Sequence, residues 1–177
     1  AERHHQEQVA AMLHKLGLSP EALGCGCPLP SDEQEAGRVL AGLVSPSPLH
    51  CDCSGKHAGM LAGCLQLGYP LDDYRKPEHP LQQMIRQIIA EVCRVDATEL
   101  AVAVDGCSVP TFGATLAAFA RAYAALAAPT SVPQHAGGEH ANALLRLRQA
   151  MMIHPENVAG QGDLVTDLMR LGRGTIV

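Results

Sequence analysis

The sequence predicts a helix-rich α/β chain. Three observations carry that expectation. Apolar residues recur at helical spacing along most of the 177 residues. One short run, Ala101-Val102-Ala103-Val104, is apolar and partly β-branched, as a buried strand is. Hydrophobic residues make up 47% and charged residues 18%, the balance of a globular core rather than a disordered chain. The length fits a single domain spanning residues 1–177, or part of a larger one.

The elements follow in order. Val9, Met12, Leu13 and Leu16 lie on one helical face, and Gly17 can end that helix. Residues 20–30 are loop-rich. Asp32, with Glu35 three residues later, starts a short helix running to about Leu43. Residues 45–50, SPSPLH, are an extended linker, because a residue before proline avoids the helical region. CDCSGKHAGMLAGCLQLGY then reads as a turn that opens a helix. A helix from His79 to Val95 gathers Leu81, Met84, Ile85, Ile88, Ile89 and Val92 on one face. The strand at 101–104 runs into Asp105-Gly106-Cys107, and from Pro110 an Ala-rich helix extends to about Ala127. A Pro/Ser/Gly linker covers 128–138, and helices follow over about 139–152 and 163–171. The chain opens on AERHHQEQ without a leader and closes on a strand-like GTIV, so it is expected to be an internal piece that self-associates through uncovered edges and faces.

Composition removes several function classes. No apolar run has the length of a membrane span. Net charge is -5 with no Lys/Arg stripe, which gives a nucleic-acid partner no electrostatic footing. Aromatics are 3% and Trp is absent, so stacking on bases is not on offer either. The seven cysteines are odd in number and cannot all pair within the chain. The expected setting is a reducing cytoplasm, where thiols stay free, bind metal or do chemistry.

Two places can carry chemistry. Cys53-Ser54-Gly55-Lys56-His57 sits where a loop becomes a helix; the unpaired N–H groups and the helix dipole there, with Lys56 beside it, should lower the thiol pKa of Cys53. Cys53 and Lys56, three apart, can face one point. Read locally, Cys53 is equally a small buried hydrophobe and Lys56 a solvated cation. Asp105-Gly106-Cys107 follows the strand directly, where ligands gather in α/β sheets, although a plain strand-to-helix turn with Asp105 as its cap fits the same residues. His79 reads as a capping or loop residue. Cys64, Cys93 and the methionines at 12, 60, 84 and 169 read as core. Cys25-Gly26-Cys27 and Cys51-Asp52-Cys53 lack the C-x-x-C spacing of zinc knuckles. H-E-x-x-H, P-loop, G-x-S-x-G and S-x-x-K are all missing.

CSGKHAGML, then Pro70-Leu71-Asp72-Asp73-Tyr74, HPLQQ, DGCSVPTFG, HPENVAG and TDLM occur in that order. The set resembles the bacterial asparaginase II family, the Rhizobium-type L-asparaginases, over nearly the whole chain. The cysteines of CSGKHAGM and DGCSVPTF are 54 positions apart (107 minus 53), a specific spacing. The resemblance implies an α/β/α sandwich similar to serine β-lactamases and glutaminases, and hydrolysis of L-asparagine to L-aspartate and ammonia. It implies zinc held by Cys53, Lys56 and Cys107. Lys56 and Asp105 then carry catalytic roles, Asp105 at the substrate ammonium, with His57 orienting a ligand or the substrate. A lysine ligates only as the neutral amine, so its pKa must fall far below about 10.4. Members of the family are similar to one another in forming dimers.

The chain departs from the family in places. The family's serine–lysine segments, S-x-x-K, S-x-S-G-E and K-x-G-A-E-G, have no counterpart here, so no nucleophile is assigned. Cys51 and Asp52 stand where asparagine is usual, and Cys51 is a competitor for zinc. Asp163 replaces an arginine and Val165 an aspartate. Two further readings stay open. One is a non-catalytic relic that keeps a zinc-binding core. The other is a cysteine hydrolase in which His50 or His57 activates Cys53.

Overall fold

The computed structural model describes residues 1–131 and 140–172. In chain order it contains α1 (Arg3–Lys15), α2 (Glu33–Leu40), α3 (Ser54–Leu67), α4 (Pro80–Cys93), β1 (Ala101–Val104), β2 (Pro110–Gly113), α5 (Leu116–Ala127), α6 (Ala141–Ile153), α7 (Glu156–Ala159) and α8 (Leu164–Leu171). The strands form a two-stranded sheet. Asp105 N–H donates to the Val109 carbonyl at 2.8 Å, so the chain reverses tightly and the strands are antiparallel. The helix-rich chain with its small sheet is a mixed α/β protein. No helix among the described residues is long and apolar enough to cross a membrane. The residues expected to form a closing strand, 174–177, lie outside the described residues, as does most of the linker expected over 128–138.

The chain divides into two compact units. The first is Ala1–Met84 with Val102–Thr111; the second is Ile85–Ala101 with Phe112–Val177. In the first unit α1 packs on α3. Gly55 faces Val9 across this contact, and a Cβ there would meet Val9 Cγ2 at an ordinary 3.8 Å. Leu13 and Leu61, each 1% exposed, anchor the two helices, and truncating either to Ala costs about 2–5 kcal/mol in such a core. Farther along α3, Gly63 admits Leu81, whose Cδ1 would sit 3.3 Å from an added Cβ. The first turn of α2 forms as its sequence directs: the Asp32 side chain accepts from Glu35 N–H at 2.8 Å.

In the second unit α5 packs on α6. Arg121 donates from Nε to the Cys93 carbonyl at 3.0 Å, tying α5 to the end of α4. Thr115 caps α5, and its side chain accepts from Ala118 N–H at 3.2 Å. Asp163, one of the departures noted above, caps α8 by accepting from Val165 N–H at 2.8 Å, and Val165 itself is exposed. Thr166 Oγ1 donates to the Pro155 carbonyl at 3.1 Å and is fully buried.

Four local expectations are corrected. Residues 110–113 are a strand, not the start of the Ala-rich helix. Val109, Thr111 and Phe112 favour extended backbone, and the helix waits for its cap at Thr115. Asp105-Gly106-Cys107 is consequently a hairpin turn, not a strand-to-helix turn. β1 is not buried: all four residues are exposed, Val104 at 71%. A strand is buried only when another layer covers it, and apolar composition does not supply that layer. Met12, read as core, is 39% exposed, whereas Cys64, Cys93 and Met169 are buried.

Glu35 gives a pH test of the α2 region. It is buried, and its carboxyl is held below the ordinary glutamate range, first by the Arg38 guanidinium at 2.7 Å, then by Gln6 and Arg3, against the cost of burial. The stability it contributes is full above the unfolded value of about 4.3 and is lost as pH falls through the lower folded value. Glu35→Gln should therefore flatten the acid limb of a stability-versus-pH curve below about pH 4.5. An acid limb of unchanged slope by circular dichroism would show that the pair contributes nothing.

Candidate functional site

Two segments far apart in sequence meet at the start of α3. Cys53 is the residue before the helix, and His57 N–H donates to its carbonyl at 3.0 Å, which makes the first turn rigid. The second segment is the β1–β2 turn. Ser108 takes a left-handed conformation there, with φ of 71°, and its N–H donates to the Asp105 carbonyl at 2.8 Å. That turn brings Asp105 and Cys107 to one point. Lys56 Nζ donates to Asp105 Oδ2 at 2.5 Å, Cys107 Sγ donates to the same oxygen at 3.5 Å, and Gly106 N–H donates to Oδ1 at 2.7 Å. Cys53 Sγ, a carboxylate oxygen of Asp105 and Cys107 Sγ all lie within 4.8 Å of one another. The structure thus brings together Cys53, Lys56, Asp105 and Cys107.

The electrostatics differ from the local sequence reading. Burial pushes the Cys53 thiol up to about 11; contact with Cys107 adds to this, and Lys56 only partly offsets it. The helix-start argument for a lowered Cys53 pKa is therefore overturned, because desolvation outweighs the helix end and one half-exposed cation. Lys56 is likewise not lowered. Burial alone would lower it, but bonding to Asp105 and Cys107 and the nearby thiols win, and its pKa is raised. Asp105 is held below the usual carboxylate range, first by Lys56 and then by Gly106 N–H. Without a metal ion the site is thus a Lys56–Asp105 ion pair flanked by protonated Cys53.

Behind this cluster lies a buried polar chain of His57 and Tyr74. His57 is fully buried, and its Nδ1 lies 2.5 Å from the Tyr74 hydroxyl. Gly24 N–H donates to that hydroxyl at 2.8 Å. A Cβ at Gly24 would lie 2.6 Å from Arg75 Nε, so a side chain there would have to displace the end of Arg75. Burial, with the positive charges of Lys56 and Arg75, pushes His57 down to about 4, so its ring is neutral at pH 7. A neutral His57 bonded to Tyr74 is not placed to activate Cys53. His50 is committed too, its Nδ1 accepting from Ser47 N–H at 3.1 Å. Among the described residues neither His50 nor His57 hydrogen-bonds to the Cys53 thiol, so the cysteine-nucleophile reading gains no support from these bonds.

The remaining candidates sort out spatially. Cys51 lies beside Cys25, not in the Cys53–Asp105–Cys107 group, and burial followed by Cys51 pushes the Cys25 thiol up to about 12. Asp52 turns to Ser31 Oγ at 2.5 Å. His79 is a cap, accepting from Leu81 N–H at 3.2 Å. All seven cysteines are free. A cavity of about 240 Å³ adjoins the turn, lined by Asp73, Arg75, Lys76, Val104, Ser108 and Pro110. Sequence reasoning gave no role to Tyr74 or Cys25. The signal for Tyr74 was available: it is one of only three tyrosines in a chain without tryptophan.

The whole chain, residues 1–177, matches the family model described as L-asparaginase II. No protein with a curated description matches it.

The raised Cys53 pKa has a direct chemical consequence. At pH 8 a thiol of pKa about 11 is about one part in a thousand thiolate, against about a quarter for an ordinary thiol near 8.5. With a chelator present, iodoacetamide should label Cys53 roughly two orders of magnitude more slowly than it labels glutathione, gaining about tenfold per pH unit up to about pH 11. Labelling of Cys53 at the glutathione rate, read by peptide mass mapping, would show that Lys56 outweighs burial.

Proposed function

We propose that this chain, which belongs to the L-asparaginase II family over residues 1–177, is an amidohydrolase that converts L-asparagine and water to L-aspartate and ammonia, with zinc held by Cys53, Lys56 and Cys107. The observation that supports the reading is the meeting of two thiols, an amine and a carboxylate at the start of α3. The donor set fits zinc: two soft sulfurs and one nitrogen leave a fourth position open, the pattern of catalytic rather than structural sites. When bound, the ion supplies positive charge that orients substrate, polarises its amide or acidifies a water. On this reading the chain is part of an α/β/α sandwich of the kind found in serine β-lactamases and glutaminases.

The residues of the chain then have separable tasks. Lys56 would hold the ion as a neutral amine, its proton passing to solvent, and the Asp105 carboxylate would then be free of the ammonium it now binds at 2.5 Å. Asp105 is thereby left to accept from the α-ammonium of the substrate, one cation replacing another. Its depressed pKa keeps it ionised for that purpose. Arg75 and Lys76, on the wall of the adjoining cavity, offer positive charge to the substrate carboxylate. His57, neutral and buried, orients the site from behind.

Protein purified with added zinc should carry about one ion per chain, and Cys53→Ser and Cys107→Ser should each lose it. Ammonia release from L-asparagine should accompany the bound zinc, and Asp105→Asn should cut kcat/KM by about 100-fold or more while retaining zinc. Zinc without ammonia release would leave a zinc-binding core that does not catalyse. No zinc in the parent chain would overturn the ligand assignment.

A further inference from the structure

The cavity of about 240 Å³ in the first unit joins an uncommitted cation to constrained backbone. Three non-glycine residues among those described have left-handed backbone, and two of them stand on its wall: Asp73, with φ of 58°, and Ser108, with φ of 71°. Such backbone is unfavourable and persists where the surrounding structure imposes it, often at binding sites. The charges on the wall are unequally committed. Lys76 Nζ donates to Asp73 Oδ2 at 2.8 Å, so these two largely cancel. Arg75 is half-buried, and among the described residues no carboxylate or carbonyl accepts from its guanidinium. The end of its side chain is laid across Gly24, whose N–H is itself anchored on the Tyr74 hydroxyl at 2.8 Å. The wall therefore carries one net positive charge, presented as a planar fork of donors. Pro77, Val104 and Pro110 supply the apolar remainder.

We propose that this cavity is a carboxylate pocket with Arg75, rather than Lys76, as its anion-binding group, and that it selects free amino acids by their α-carboxylate over asparagine held in peptide or amide linkage. The choice of ligand rests on the asparaginase reading; the pocket and its charge do not. A guanidinium matches a carboxylate in shape, two parallel N–H groups meeting two oxygens. One net positive charge also matches a singly charged carboxylate, whereas a phosphate dianion would be left half-neutralised. Val104 and Ser108 bracket Asp105 and Cys107 along the hairpin, so the cavity borders the cluster at the start of α3. Ser108 N–H donates to the Asp105 carbonyl at 2.8 Å, which joins the pocket wall to the site residue through one backbone bond.

The test uses the whole chain treated with chelator, so that metal binding plays no part. L-Asparagine and L-asparaginamide, which lacks the carboxylate, are titrated against the Arg75 Nε–H signal by NMR. L-Asparagine should shift that signal and bind about 10–100-fold more tightly than the amide, the size of a charge-assisted contact. Arg75→Gln, followed through the Ser108 amide, should lose this preference. Asp73→Asn should instead tighten L-asparagine about two- to fivefold, since it removes the negative charge on the wall and asparagine tolerates left-handed backbone. A gain in affinity is not a result that misfolding produces. No shift of the Arg75 signal, equal binding of the two probes by the parent chain, or L-asparagine affinity within about twofold of the parent in a folded Arg75→Gln chain would overturn the proposal. Selective binding through Arg75 with no ammonia release from the zinc-loaded chain would overturn the asparaginase reading and leave the pocket standing. Zinc-dependent ammonia release with KM unchanged in Arg75→Gln would overturn the pocket and leave that reading standing.

Discussion

The ion pair between Lys56 and Asp105 is the constraint on which the site depends. It joins the first turn of α3 to the β1–β2 hairpin across 49 residues of sequence, and it does so at 2.5 Å. Both side chains are 38% exposed, so water screens the pair, and its direct contribution to stability is modest. Its importance is geometric. Placing Asp105 on Lys56 also places Cys107 beside Cys53, because the hairpin turn fixes Asp105 and Cys107 two residues apart on one side. The same pair holds Lys56 protonated, so ligation of a metal and retention of the ion pair exclude each other.

Helix α3 serves two masters. Its inner face is closed: Ser54, His57, Ala58, Leu61 and Cys64 are buried, and α1 lies against it. Its first turn carries Lys56 toward the half-exposed site. Gly63 eases that division by letting Leu81 come close, its Cδ1 lying 3.3 Å from where a Cβ would stand. A rigid inner face is what allows the outer residues to be held within tenths of an ångström. The cost falls on His57, which is buried with one nitrogen unsatisfied and cannot charge without unfavourable desolvation.

Legibility varied with the range of the interaction. The cap at Asp32 and the stop at Gly17, with φ of 70°, could be read directly, because caps and breakers act within a few residues. The motif order in the chain was equally plain. β2 was missed since Pro110 and the following alanines imitate a helix start, although Thr111 and Phe112 favour the extended backbone that pairing with β1 fixes. The exposure of β1 was misread for a related reason: burial of a strand belongs to its neighbours, not to its composition.

The sequence by itself determined most of the helices, the cap at Asp32, the family and the three residue types, cysteine, lysine and aspartate, that meet at the site. The motifs already singled out Cys53 and Cys107; only the tertiary structure decided that Cys51 faces Cys25 instead of joining them. It also decided the sign of the Cys53 pKa shift, which the local helix-start pattern reverses. The physical reason is the reach of the forces involved. Helix periodicity and capping are settled between residues three or four apart, whereas desolvation and charge add up over every group within several ångströms, and those groups come from segments about fifty residues apart.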